Sequence, residues 1–352
     1  MSSQSGLYRS IRSGIAPAAK ALLFKSGALG ALRMLRPSDR LAILRYHAIC
    51  GPEGYAYASP GICISPAAFE QHVKYLAAHY NVVSLPEAVR VIREDAALPP
   101  NAVAITFDDG YADNLEAARV LARHGLTATF YITAGCMAGG EPFWPSELRY
   151  LLDAIRAERL TLSAGSNPPI EVDLRSPEAR TTALNRLTKT FKAHPIPVRE
   201  ELRAQLRSLA GHIEMPRVML TWDEIREMHA LGMTIGSHTV THPNLPNAGV
   251  AAAAIELEES RRRLETEVGA AVTMFSYPNG GAERYLTSDV QQLVRNAGYL
   301  GATTSRNAFA GVTSDPYALE RIEVEESLED LLFALEVERF VFAPSARLGE
   351  AR

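Results

Sequence analysis

Two pairs of side chains in this sequence have the types and spacing to hold a cation and activate water. Asp108 and Asp109 stand side by side in "VAITFDDGYADN", directly after an apolar run. Adjacent carboxylates repel, and a bound cation lowers the cost of placing them together. His238 and His242 lie four residues apart in "GSHTVTHPNL". That spacing lets both imidazoles face one point if the backbone turns helically there. Two histidines with one carboxylate form a facial ligand set that leaves positions open for water and substrate. Neighbouring side chains at a strand exit need not point the same way, so one aspartate can ligate while the other stays free. An H-x-x-x-H alone is more often a surface feature, and an Asp-Asp-Gly alone is usually a turn. Their joint placement after strands carries the metal reading.

The elements that must position these residues alternate along the chain. "LAILRYH" (41–47), "NVVSL", "AVAITF" (102–107), "TATFYIT", "MTIGSH", "VTMFSYP" and "YLGATTS" read as strands. Between them lie helices such as "SPAAFEQHVKYLAAHY", with Ser65 as N-cap and Pro66 at the first helical position. "AVAITF" is apolar throughout, as a parallel strand covered on both faces requires. Repeated strand–helix units predict an α/β protein with a parallel sheet, open or closed into a barrel. Active sites of such sheets sit at the C-terminal ends of the strands, where both motifs fall. The rhythm breaks at about 140–217, which reads as a mostly helical insertion. The expected organisation is therefore a basic N-terminal segment (1–40), a domain at 41–335 carrying the insertion, and a tail at 336–352.

At 352 residues, with 47% hydrophobic and 22% charged residues, the composition is that of a globular protein. A net charge of -4 argues against nucleic acid as a partner. Cys50, Cys63 and Cys136 match neither a disulfide framework nor a zinc-finger spacing. No apolar run is long enough to cross a membrane. Residues 1–36 carry six basic residues and no acidic one. Lysines interrupt their apolar stretch, so a secretory signal fits poorly. A basic amphipathic helix lying on an anionic membrane fits, as does a plain surface helix. The expected location is cytoplasmic, peripheral at a membrane in the first case.

"TFDDGY", "SHTVTH" and "FSYPNG", in this order, resemble the first three motifs of the polysaccharide deacetylases, carbohydrate esterase family four. "LRYH", "LTWDEIREMHALGMTIGSHT" and "YALERIEV" resemble the branch linked to exopolysaccharide assembly. The resemblance spans roughly 41–325. It implies a distorted, incomplete (β/α) barrel, usually short of eight strands, and hydrolysis of an N-acetyl group on an amino sugar. It also implies Asp108 as general base and Asp109, His238 and His242 as ligands of a divalent metal, zinc being the usual one. The chemistry agrees: a cation acidifies water and polarises an amide carbonyl, an aspartate takes the proton, and backbone N–H groups near Gly110 and Tyr111 hold the oxyanion.

Two departures stand out. Many relatives carry an arginine before the proline of the third motif, where "FSYPNG" has none; Arg321 is a candidate replacement. The usual proton donor is a C-terminal histidine, yet none follows His242. His47, at the end of the first predicted strand, is a candidate donor; the alternative is a residue that only buttresses the barrel mouth. Tyr111, Tyr277 and Pro278 are expected at the substrate. Phe143, Trp144 and Trp222 could stack on sugars, with core packing the alternative for Trp222. His72, His79, His124, His194, His212 and His229 are expected at the surface. A deformylase or other amidase, and a glycan-binding protein that keeps the metal site, are the competing readings.

Overall fold

The computed structural model describes residues 15–165, 167–280 and 285–340. Its strands in chain order are β1 (Ala42–Tyr46), β2 (Ala48–Ile49), β3 (Cys63–Ile64), β4 (Asn81–Val82), β5 (Ala102–Phe107) and β6 (Thr129–Ile132). There follow β7 (Arg159–Leu162), β8 (Ile170–Asp173), β9 (Thr234–Ser237), β10 (Met274–Ser276), β11 (Gly301–Asn307) and β12 (Leu319–Glu323). Seven parallel strands form a ring in the order β1, β12, β11, β10, β9, β6, β5. It closes where β5 pairs with β1, from Ala42↔Val103 to Tyr46↔Phe107. The short β4 adds on beside β5. This is the expected (β/α) barrel, one strand short of eight.

All six residues of β5 are buried, because the strand has apolar material on both sides. On one side, Ala104 joins Ile43, Tyr131, Met274 and Leu319, with Leu85, Val89 and Ile92 of the helix Leu85–Arg93 against them. On the other, Phe107 stacks on Phe130 at 4.5 Å and meets Phe69 of the helix Pro66–His79 edge-on at 5.6 Å. That helix starts as the sequence predicts, with the Ser65 hydroxyl accepting from the Ala68 N–H.

The segment at 140–217 holds the helices Trp144–Ala154, Pro177–Ala193 and Ile196–Ala210 around a separate apolar cluster that includes Trp144, Leu151, Leu187 and Leu206. The buried Glu147 carboxylate ties the first to the third, accepting from Arg203 at 2.6 Å and Arg207 at 2.6 Å. The expected helical character needs one correction. "RLTL" and "IEVD" pair antiparallel, β7 with β8. The alternating burial of β7 is the period of two that a half-buried strand shows.

The two ends of the chain also differ from expectation. Within the basic N-terminal segment, the described residues form two short helices, Pro17–Lys25 and Ala28–Leu35, broken at Gly27 with φ of 74°. Two of their basic side chains, Lys20 and Arg33, turn inward, while Lys25 is exposed. Lys20 pairs with Asp330 at 2.7 Å, and Arg33 lies 5.1 Å over the Tyr80 ring. Arg9 and Arg12 lie outside the described residues. Within the expected tail, Glu336, Glu338 and Arg339 are buried and Arg339 donates to the Arg36 carbonyl at 2.6 Å. His72 is not at the surface either. It is fully buried, with Nδ1 3.2 Å from the Tyr46 hydroxyl, because the polar edge of its helix packs onto β1.

Candidate active site

The catalytic candidates gather where β1, β5, β9 and β10 end. β1 and β5 run in register, so His47 and Asp108 emerge side by side, and the Asp108 N–H donates to the Tyr46 carbonyl at 3.0 Å. Asp109 follows with φ of 77°, a left-handed conformation that non-glycine residues rarely adopt. This turn sends the two carboxylates apart. Asp108 faces Arg321, while Asp109 faces the histidines.

Asp109 Oδ1 lies 3.4 Å from His238 Nε2 and 3.4 Å from His242 Nε2. The three ligand atoms are all within 4.8 Å of one another, and all three residues are buried. Bonds of about 2.0–2.1 Å at tetrahedral angles give ligand–ligand edges of about 3.3 Å, so the two measured edges fit a small divalent cation. His238 Nδ1 donates to the Ser276 carbonyl at 2.7 Å, which leaves Nε2 as the free lone pair. Burial lowers the His242 pKa to about 3, keeping the imidazole neutral as a ligand must be. Burial opposes ionisation of Asp109, yet the two imidazoles beside it outweigh burial and hold its pKa below the ordinary value.

The two histidines converge differently from expectation. Residues 238–242 form a loop, not a helical turn. Thr239 and His242 have φ of 69° and 54°, and the Thr239 hydroxyl accepts from the His242 N–H at 3.0 Å. Glu256 clamps the loop from outside, accepting from the N–H groups of Val240 at 2.7 Å and Thr241 at 2.9 Å. Trp144 is buried and donates from Nε1 to the His242 carbonyl at 3.0 Å, and Phe143 meets the His242 ring edge-on at 5.3 Å. Both aromatics therefore support the loop. Nothing local in the sequence marks Glu256 for this task, since it lies in a helix rich in charge.

Arg321 sits on β12 with no exposed surface and spends all five N–H groups. Nη1 and Nη2 donate to the two oxygens of Asp108 at 2.7 and 2.6 Å. Nε donates to the Thr304 carbonyl at 2.7 Å, Nη1 also reaches Thr106 Oγ1 at 3.2 Å, and Nη2 reaches Ser276 Oγ at 3.1 Å. Ser276 is the residue of "FSYPNG" that stands before Tyr277 and Pro278. Burial alone would raise the Asp108 pKa, but the Arg321 charge outweighs it and holds the carboxyl far below its usual range. His47 Nε2 lies 3.7 Å from Asp108 Oδ2, and burial lowers the His47 pKa in spite of that neighbour.

His47, Asp108, Asp109, His238 and His242 line one open cavity of about 440 Å³. Tyr111 and Tyr277 are part of its wall, as are Trp144, Arg149 and Lys192. Tyr111 is almost wholly buried and packs its ring against Tyr57 and Phe143. Its N–H has no acceptor among the described residues, whereas the Gly110 N–H is occupied by the Asp108 carbonyl at 3.0 Å. Trp222, expected at the substrate, stands elsewhere: it packs half-buried against the barrel core and lines a different cavity with Arg262 and Thr266. The described wall does not include Pro278, which precedes the wall residue Asn279.

Comparison with known proteins agrees with this geometry. The chain is similar to a Bacillus subtilis protein named putative polysaccharide deacetylase YxkH, with 22% identity over 85% of this chain and 76% of that one. Its fold matches the Streptococcus pyogenes deacetylase PplD in complex with acetate, at 20% identity and a TM-score of 0.57, covering 85% and 99% of the two chains. It also matches IcaB from Ammonifex degensii, at 18% identity and a TM-score of 0.54, covering 86% and 99%. The family model for polysaccharide deacetylase matches residues 95–158 and 183–302, just over half of the chain, and passes over the whole β7–β8 hairpin. The chain belongs to the polysaccharide deacetylase family.

Proposed function

We propose that this enzyme is a zinc-dependent hydrolase that removes N-acetyl groups from an amino sugar in a glycan. The observation that carries the reading is the Asp109–His238–His242 triangle standing beside an aspartate that Arg321 keeps ionised. A divalent cation held by those three side chains would acidify a water and polarise the acetamide carbonyl. Asp108 takes the water's proton on Oδ2, the oxygen facing His47. The Tyr111 N–H donates to the developing oxyanion. Neutral His47, with its proton on Nδ1, accepts a proton from Asp108 at Nε2 and delivers it to the departing amine. The 3.7 Å separation is short enough for a small side-chain movement to complete that transfer.

Elemental analysis alongside acetate release from a panel of N-acetylated glycans tests the proposal. The expected outcome is about one zinc per chain and acetate released in step with free amine. A metal-loaded protein that binds glycans and releases no acetate would overturn it.

We also propose a peripheral membrane contact for residues 1–36, narrower than a wholly basic helix. Leu22, Met34 and Leu35 are strongly exposed, at 69%, 80% and 81%, with Lys25 and Arg36 exposed nearby. No helix among the described residues is long and apolar enough to cross a membrane. Co-sedimentation with anionic liposomes should drop for a Leu22→Ser, Leu35→Ser double variant; equal sedimentation would exclude the contact.

A further inference from the structure

Arg149 and Lys192 are cations of the catalytic wall that the chemistry above does not use. Both come from the segment at 140–217: Arg149 from the helix Trp144–Ala154 and Lys192 from the helix Pro177–Ala193. Each is half-buried. Among the described residues, neither side chain makes a hydrogen bond or an ion pair. The other charged groups on this wall have partners. Asp108 has Arg321, Arg45 has Glu323 at 3.4 Å, and Asp109 has the histidines.

A half-buried cation without a partner loses hydration and gains nothing in return. Burial lowers the pKa of both groups accordingly, Lys192 in spite of the attraction of Asp109. Yet the chain as a whole has a net charge of -4, and its other arginines find carboxylates readily. A cluster of unpaired positive charge inside an open cavity focuses the local field on anions.

The placement narrows the position of the anion. Leu184, Thr188 and Lys192 lie at helical spacing along one face of their helix, and all three line the catalytic cavity. Arg149 and Leu184 also line an adjoining cavity of about 350 Å³ that contains Tyr55, Tyr150 and Arg180. Arg149 thus stands where the catalytic cavity meets a groove with two tyrosines, the setting of a neighbouring sugar.

We propose that the glycan carries an anionic group, a carboxylate or a phosphate, within one sugar of the reacting acetamide, and that Arg149 and Lys192 bind it. This rests on the deacetylase reading. Arg149 supplies a planar fork suited to either anion, and Lys192 supplies a point charge within the field of Asp109.

The test uses the full chain loaded with zinc and three substrates. These are a neutral N-acetylglucosamine oligomer, an oligomer alternating N-acetylglucosamine with a uronic acid, and a diphosphate ester of N-acetylglucosamine. At least one charged substrate should exceed the neutral one in kcat/KM by about ten-fold or more, an advantage that shrinks in raised salt. Arg149→Gln and Lys192→Gln should each bring the charged-to-neutral ratio towards one, and Lys192→Arg should restore part of it. The preferred charged substrate identifies the anion as carboxylate or phosphate. A wild-type ratio of one or less would overturn the proposal. So would variants that slow neutral and charged substrates alike, because the cations would then serve the released acetate. Calorimetric titration of the same three compounds into Asp108→Asn separates this failure from failure of the deacetylase reading. Tighter binding of a charged compound, with no acetate released from any substrate by the wild type, would remove the enzyme reading and leave the anion site standing.

Discussion

Arg321 and Asp108 face each other as a buried two-pronged pair, guanidinium to carboxylate, at 2.7 and 2.6 Å. Arg321 reaches Asp108 from β12, and Ser276, in the stretch "FSYPNG" that has no arginine, accepts from the same guanidinium. Removing Arg321 leaves a buried carboxylate without its partner. Arg321→Ala should destabilise the protein by about 3–5 kcal/mol in denaturant unfolding. With that charge gone, burial raises the Asp108 pKa, so the acid limb of any residual kcat/KM should move to higher pH. Arg321→Lys keeps the charge and loses the fork, and should fall between the two. An unchanged pH profile in Arg321→Ala would show that Asp108 does not govern that limb.

The divergence of the two aspartates predicts separate losses. Asp108→Asn should retain the metal and lose about 10²–10⁴ in turnover. Asp109→Ala, His238→Ala and His242→Ala should lose tight metal binding and activity together. Stripping the wild type with a chelator should abolish acetate release, and added zinc should restore it. Metal bound fully by the His238 and His242 variants would contradict the ligand assignment.

His47 is expected to matter according to the leaving group. An acetamide expels a poor amine and needs the proton, whereas an activated aryl ester expels its alcohol unaided. His47→Ala should therefore cut amide hydrolysis far more than ester hydrolysis, with metal content unchanged. Equal losses on both would make His47 a support for the barrel mouth.

His72 predicts an acid-labile fold. Burial lowers its pKa to about 4 from an ordinary 6.5, so the unfolded chain binds the extra proton first. Its contribution is complete above about pH 6.5 and is lost as the pH falls towards 4, on the order of 3 kcal/mol in all. Unfolding midpoints of the wild type and His72→Gln, measured between pH 7 and pH 4, should show a flatter dependence in the variant. Parallel curves would mean that His72 does not titrate in that window.

How much of this was legible in the sequence depends on how far each contact reaches. The barrel could be read from its apolar strands, and Asp108, Asp109, His238 and His242 from short motifs at strand ends. Arg321 could be named only as a candidate, because its partner lies 213 residues away. The positions of Arg149, Lys192, Trp144 and Glu256 were hidden for another reason. Helical periodicity shows which residues share a face, and only packing decides what that face meets. His72 was misplaced on the same ground, a polar side chain going under a helix, while Trp222 took the core-packing alternative.

The bond between Asp108 and Arg321 also sets an order of assembly. A chain made from its N-terminus presents β1, β5 and the "TFDDGY" motif long before β12 exists. Until β12 arrives, Asp108 has no guanidinium, the ring between β1 and β11 stays open, and Thr106 and Ser276 lack their common donor. A nascent chain halted before residue 319 therefore exposes unpaired strand edges and a bare carboxylate at the barrel's heart. Closure and completion of the catalytic centre become one late event, so partial products of synthesis should be inert and open to proteases.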